Sequence, residues 1–121
     1  MARGVNRIIL IGNLGMDPVV EFTTEGDTLA GFSLATNEYW KDREGRQQER
    51  TEWHRIVCEG RLGEQCEKEL RRGNKIYVEG RLRTRILEHG DVRHHLTEVV
   101  AVDLVVLVGK QDKGVHYAPL D

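Results

Sequence analysis

Hydrophobic and polar positions change period along this chain, and the changes mark out its elements. Residues 5–12 (VNRIILIG) are apolar and β-branched, end at Gly12-Asn13, and are followed by the turn residues Gly15 and Asp17-Pro18, which predicts a strand. A shorter strand-like piece covers 19–23. Alternation over 28–40 (TLAGFSLATNEYW), with Phe32 and Leu34 on one side, predicts a second full strand, and alternation over 51–60 (TEWHRIVCEG) a third. Between them 41–50 (KDREGRQQER) is polar throughout around Gly45 and is expected to be a long exposed loop. The period then lengthens: Leu62, Cys66 and Leu70 recur at i, i+4 and i+8, a single helical stripe. Arg71 and Arg72 are placed to complement that helix's C-terminus, and Gly73-Asn74 to stop it. Residues 75–87 predict a fourth strand, 88–91 a loop tip around Gly90, and 96–108 a fifth strand. Three strands, one short helix and two strands is the layout of an all-β, five-stranded OB-fold barrel with the helix between its third and fourth strands. Residues 1–108 form one domain on this pattern; 109–121 carry no periodicity and are expected to be a short mobile tail.

The fifth strand is apolar on both faces. Strict alternation puts Val100, Val102, Leu104, Val106 and Val108 on one side and Val99, Ala101, Val105 and Leu107 on the other, interrupted only by Asp103. A small barrel gives each strand one inward face, and the first strand carries the same excess at 8–11. Outward apolar surface is therefore expected, covered by a second copy of the chain or else by the chain's own tail.

Charge enters the picture through its distribution. The net charge is −2, which by itself points to no polyanionic ligand. Yet between Arg71 and Arg93 seven Lys/Arg stand against three acids, a local excess of four positive charges. Alternation in the fourth strand puts Ile76, Val78, Gly80, Leu82, Thr84 and Ile86 on a core face. Tyr77, Glu79, Arg81, Arg83 and Arg85 take the other face, with the three guanidiniums spaced roughly 6.6–6.8 Å apart along the strand. In the third strand His54, Ile56 and Cys58 make the better core face, so Trp53 points outward beside Arg55. Trp40 lies where the second strand runs into the polar loop, next to Tyr39 and Lys41. Indoles stack bases and guanidiniums hold phosphates, so this combination is expected to form one basic, aromatic surface that grips a single strand without reading its sequence. Each Trp taken alone could equally be a core residue, and the strand merely a soluble one.

Other chemistry finds little support. Gly12-Asn13-Leu14-Gly15 follows a strand but leads to no Gly-Lys-Ser/Thr, so it is not a phosphate-cradling loop. No catalytic arrangement of Ser/His/Asp, Cys/His or paired carboxylates emerges, and no enzyme activity and no cofactor are expected. Cys58 and Cys66 have seven residues between them, which fits no zinc knuckle; they are expected to be two buried thiols. His94 and His95 are adjacent, so a strand would point them to opposite faces; no metal site is expected. Apolar runs such as 8–11 and 99–102 are too short to span a bilayer, and the N-terminus has no apolar signal core, so a soluble, cytoplasmic (nucleoid-associated) protein is expected.

The sequence resembles the bacterial single-stranded DNA-binding proteins over residues 2–108. The segments that carry the resemblance are RGVNRIILIGNLGMDP (3–18), FSLATNEYW (32–40), TEWHR (51–55), LRRGNKIYVEGRLRTR (70–85) and LTEVV (96–100). It implies an OB-fold homotetramer, or at least a dimer, that wraps and protects single-stranded DNA in replication, recombination and repair. By matching position it implies base stacking on Trp40 and Trp53 and phosphate contacts from Arg55, Arg61, Arg72, Arg83 and Arg85, with Arg3 and Arg7 as further basic positions; Arg81 joins them on the strand pattern above. His54 is similar to the family's subunit-interface histidine. The chain departs from the family where a stacking Phe falls at Glu59, a stacking Trp at Leu87 and a groove-lining Tyr at Glu69. Weaker, more salt-sensitive binding than a typical member's is therefore expected. Residues 109–121 also lack the family's Gly/Gln/Pro-rich linker and acidic tip ending in Phe: either the protein has no such docking peptide or the sequence is cut short of it, and a full gene product ending here is expected not to recruit enzymes through that tip. A protein-docking scaffold of the primosomal type, with weak DNA or RNA binding, is the competing reading.

Overall fold

The computed structural model describes residues 3–109. The strands are β1 (Ile8–Leu14), β2 (Val19–Phe22), β3 (Thr28–Lys41), β4 (Gln47–Glu59), β5 (Lys75–His89) and β6 (Val92–Val108), with one helix, α1 (Arg61–Glu69), between β4 and β5. The sheet runs β1-β5-β6-β4-β3-β2, and a further β1–β3 pairing at Asn13↔Ala35 and Leu14↔Leu34 closes it. β1 and the short β2 lie on the same edge of β3, so together they fill one strand position and the barrel is five-stranded. Closure needs a close approach of backbones: a Cβ at Gly12 would stand 2.2 Å from the Ala35 carbonyl oxygen. The remaining seam is the parallel pairing Ile56↔Val99 and Val57↔Val100 of β4 with β6.

The core is the filled interior of this barrel. Ala30, Phe32 and Leu34 of β3, Ile56 and Cys58 of β4, Ile76 and Val78 of β5, and Val99, Ala101 and Leu104 of β6 pack there. α1 lays its predicted stripe over one end: Cys66 and Leu70 are fully buried, with Leu62 partly so. Arg71 Nη1 donates to the carbonyls of Glu67 at 3.1 Å and Leu70 at 2.6 Å, satisfying acceptors left open at the helix end. Cys58 and Cys66 are buried free thiols; the side-chain hydrogen bond from Cys66, and then burial, push the Cys58 thiol up.

Four sequence expectations need correction. First, residues 5–7 are not in the strand, which starts at Ile8 and runs on to Leu14. The Asn6 side chain does the ladder's work instead, donating to the Leu82 carbonyl at 2.7 Å and accepting from the Leu82 N–H at 2.8 Å. Second, 41–50 is not a long loop. The β3–β4 ladder continues to Lys41↔Gln47, and only a short turn remains, organised by Asp42, whose carboxylate accepts from the Glu44 and Arg46 N–H groups at 2.9 Å each. Polar residues form a strand here because a two-stranded ribbon projecting into water needs no apolar face. Third, β5 and β6 likewise extend to Gly90-Asp91, where Gly90 takes φ 60, a positive value at the first central position of a two-residue hairpin. The core face of β5 accordingly ends at Gly80; Leu82 and Ile86 are about half exposed on the projecting part. Fourth, β6 does not alternate strictly. Its register against β5 shifts between Glu79↔Asp103 and Gly80↔Ala101, leaving Val102 unpaired as a bulge that exchanges the two faces. Val99 and Ala101 therefore point inward together with Leu104 and Val106, while Val102, Val105 and Leu107 remain exposed.

Candidate nucleic-acid interface

β3, β4, β5 and β6 present their outward side chains around a cleft of about 500 Å³ whose walls include Trp53, Arg55, Glu59, Arg83, Arg85 and Glu98. Trp53 is 59% exposed and leans on Gly15, where a Cβ would come within 2.4 Å of the indole ring. The absence of a side chain at Gly15 thus makes room for the ring to lie along the wall.

The basic part of the wall is built on an acid. Glu98 is 1% exposed although it faces outward, because three guanidiniums cover it. Arg83 is its direct partner in the β5–β6 ladder, and the parallel β4–β6 register brings Arg55 alongside. Arg85 grips both carboxylate oxygens, Nε donating to Oε1 at 2.8 Å and Nη2 to Oε2 at 3.1 Å. Arg55 Nε donates to Oε2 at 3.0 Å and Arg83 Nη2 to Oε1 at 3.4 Å. Burial pushes the Glu98 carboxyl up, but the hydrogen bonds from Arg85, Arg55 and Arg83 outweigh it and hold the group below its ordinary value. The same contacts, led by the hydrogen bond to Glu98, raise Arg85. Three guanidiniums against one carboxylate leave a local charge of +2. Arg83 Nε is buried without a hydrogen-bond partner among the described residues. Glu59 stands at the rim, half exposed, with Oε2 3.8 Å from Arg83 Nη1.

Of the basic residues singled out in the sequence, only Arg55, Arg83 and Arg85 converge. Arg81 is exposed on the same side of β5, nearer the barrel. Arg7 is ion-paired with Glu79, and Arg3 is exposed ahead of β1. Arg61 opens α1, and Arg72 lies in the α1–β5 turn, its N–H donating to Asp17 at 2.8 Å. The two indoles do not share a wall. Ladder partners lie on one face of a ribbon, and Trp53 opposes Ala35 whereas Trp40 opposes Gln48. Trp40 is an even number of residues from Leu34 and so continues the core face of β3 out along the ribbon, 45% exposed, while Trp53 is on the outer face. Strand parity in 28–40 and 51–60 carries this answer once the register is known; a loop at 41–50 would hide it. His54 is part-buried on the inner face, its Nε2 2.8 Å from Thr36 Oγ1.

At the positions that depart from the family pattern, Glu59 borders the cleft, and Leu87 lies on the hairpin extension of the arginine face, directly opposite His94. The His94 ring makes an edge contact with His89, centroids 6.4 Å apart. Glu69 is on α1, paired with Gln65 at 3.0 Å, and does not line the cleft. Glu98 is the functional candidate that sequence reasoning passes over. Its signal is an acid directly before the apolar run 99–102, cross-strand from a row of arginines.

A closed OB barrel with a basic, aromatic cleft on its outer wall defines the class of protein. The model of the Single-strand binding protein family matches residues 5–107, and the chain belongs to that family. It is 46% identical over 117 residues to single-stranded DNA-binding protein 1 of Chlorobaculum tepidum, covering 94% of this chain and 71% of that one. To the single-stranded DNA-binding protein of Xylella fastidiosa it is 44% identical over 115 residues, covering 94% and 70%. Among solved structures it resembles the Plasmodium falciparum SSB complex with ssDNA (TM-score 0.82, 38% identity, 88% of this chain and 98% of that one). It also resembles a deletion mutant of the single-stranded DNA-binding protein from Thermus aquaticus (TM-score 0.79, 33% identity, 91% and 54%).

Proposed function

We propose that this chain binds single-stranded DNA without reading its sequence and protects it during replication, recombination and repair, with no chemistry of its own. The convergence of Arg55, Arg83 and Arg85 beside an exposed Trp53 carries this reading, since ring and guanidinium together serve base face and phosphate. The two relatives bear the name of single-stranded DNA-binding proteins, and one solved neighbour is a complex with ssDNA. Arg3, Arg61, Arg72 and Arg81 are exposed and extend a backbone track beyond the cleft; Arg7 would join it by leaving Glu79. Trp40 supplies a second stacking ring on the other face of the ribbon.

The functional unit is a homo-oligomer. Ile9, Ile11, Val105 and Leu107 are about half exposed, and Ile11, Tyr77 and Val105 are cross-strand neighbours, forming an outward apolar patch on β1–β5–β6. The second edge of β1 has no ladder partner over 8–12 among the described residues. A second copy covers both, and His54 contributes to a subunit contact. No helix of the described residues is long and apolar enough to cross a membrane, which suits a cytoplasmic, nucleoid-associated protein. The tail and its recruiting role lie outside the described residues. Titration of tryptophan fluorescence with oligo-dT at two salt concentrations, with duplex DNA as competitor, tests the proposal. Saturable quenching that duplex does not displace supports it; a protein-docking scaffold would show no quenching even at low salt.

A further inference from the structure

We propose that Glu98 is a positioning residue of the nucleic-acid wall: a resident carboxylate that gathers Arg55, Arg83 and Arg85 into one phosphate-binding cluster before any ligand arrives. The inference rests on the single-strand reading above and deepens it. An acid on a surface meant for a polyanion would ordinarily be a repelling charge, and Glu59 at the rim is one. Glu98 differs in burial and in bonding. It is 1% exposed and accepts four hydrogen bonds from three guanidiniums that stand on two strands, β4 and β5. Without it, three like charges on the two strands that flank β6 would repel one another and swing apart into water, since their side chains are 53%, 33% and 44% exposed for Arg55, Arg83 and Arg85.

The alternative, that phosphate displaces Glu98 from the arginines, is disfavoured because it gives up four charge-assisted hydrogen bonds and sets a second anion beside the carboxylate they cover. Nor is displacement needed. A guanidinium has five N–H donors, and towards Glu98 Arg85 uses two, Arg55 one and Arg83 one. Donors therefore remain on the exposed parts of all three for phosphate oxygens. The carboxylate fixes one side of each guanidinium and the ligand meets the rest. Side-chain ordering that each phosphate would otherwise require on binding is thus completed in the free protein.

Two substitutions with the same change of charge separate an organiser from a repeller. Glu59→Gln removes a half-exposed rim acid that touches only one of the three arginines, 3.8 Å from Arg83 Nη1, so oligo-dT binding should tighten and its salt dependence steepen. Glu98→Gln raises the net charge by the same amount, yet should weaken binding roughly tenfold for each phosphate that its arginines no longer hold. The slope of log K against log salt should become shallower by about 0.7 for each such phosphate. A merely structural role would lower thermal stability without moving that slope. Glu98→Asp, which keeps the charge and withdraws the carboxylate by one methylene, should shift affinity and slope in the same direction as Glu98→Gln, and it decides the matter should Glu98→Gln not fold. Tighter, steeper binding by Glu98→Gln, or wild-type affinity and slope in Glu98→Asp, would overturn the inference. Failure of the unaltered protein to bind oligo-dT would instead overturn the single-strand reading beneath it.

Discussion

Replacing Trp53 by alanine separates stability from binding more cleanly than any other change in the cleft. The ring is 59% exposed, so only about two-fifths of it is in contact with the protein. Taking ~250 Å² for a fully buried indole and ~25 cal/mol per Å², folding loses at most about 2.5 kcal/mol. Stacking of one base on the ring contributes about 1–3 kcal/mol, so W53A should weaken oligo-dT binding roughly five- to 150-fold per site. The assay has a built-in control, because the chain contains two tryptophans. W40F leaves Trp53 as the only indole, and its fluorescence should be quenched on binding in a red-edge-excited titration at low salt. Gly15→Ala adds a geometric check: its Cβ would stand 2.4 Å from the ring, so the indole must swing off the wall while remaining present. G15A should therefore reduce binding while lowering stability by no more than W53A does. If W53A melts at a lower temperature but binds oligo-dT as tightly as the unaltered protein, the outer wall is not where bases stack.

Other consequences concern the barrel, the assembly and the ion cluster. Gly12→Ala drives a Cβ to 2.2 Å from the backbone oxygen of Ala35; β1 must leave β3, and a loss of about 1–3 kcal/mol or more should appear as a lower melting temperature. Ile11→Glu places a charge in the exposed patch beside Tyr77, so light scattering should report a smaller species with secondary structure retained. Glu98 is held below its ordinary value of 4.5, so its contribution to stability is present above that pH and lost as pH falls through the depressed folded value. The stability difference between wild type and E98Q, followed by chemical denaturation, should therefore be constant near neutrality and shrink below about 4.5. With three arginines on phosphates, the salt slope of oligo-dT binding should be at least about 2 per protomer.

Much of the fold is legible in the sequence because period and burial agree. Phe32 and Leu34, Ile56 and Cys58, and Ile76 and Val78 alternate in sequence and point inward in the barrel. The Cys66–Leu70 stripe buries α1 as its spacing requires. Legibility fails where the chain leaves the core. In the β3–β4 and β5–β6 extensions no apolar face is needed, so hydrophobic periodicity has nothing to report, and polar composition reads as a loop. It fails again at Val102, since a bulge costs one residue and leaves no mark in an apolar run, yet reverses the assignment of face until the register shifts again before Val108. Glu98 is hidden for a different reason. An isolated acid looks solvated until the tertiary neighbours that bury it are known, and those come from two other strands.

The ribbon that composition obscures also constrains the ligand's path. Trp53 and Trp40 occupy opposite faces of β3–β4, with Ala35 and Trp40 as the positions they flank on β3. Five residues of strand separate those positions, about 17 Å along the ribbon. No straight strand laid on one face can touch both rings. A single strand that stacks on Trp53 in the arginine-lined cleft must pass over an edge or the tip of the ribbon to reach Trp40, and duplex DNA is too stiff to make so tight a turn. Selectivity for the unpaired form then follows from the geometry of the contact path as well as from access to base faces. Oligo-dT long enough to round the ribbon should quench both W40F and W53F, whereas a short oligomer should quench the two unequally. Equal quenching of both single-tryptophan proteins by the shortest oligomer that binds would show that the rings meet the ligand without any such turn.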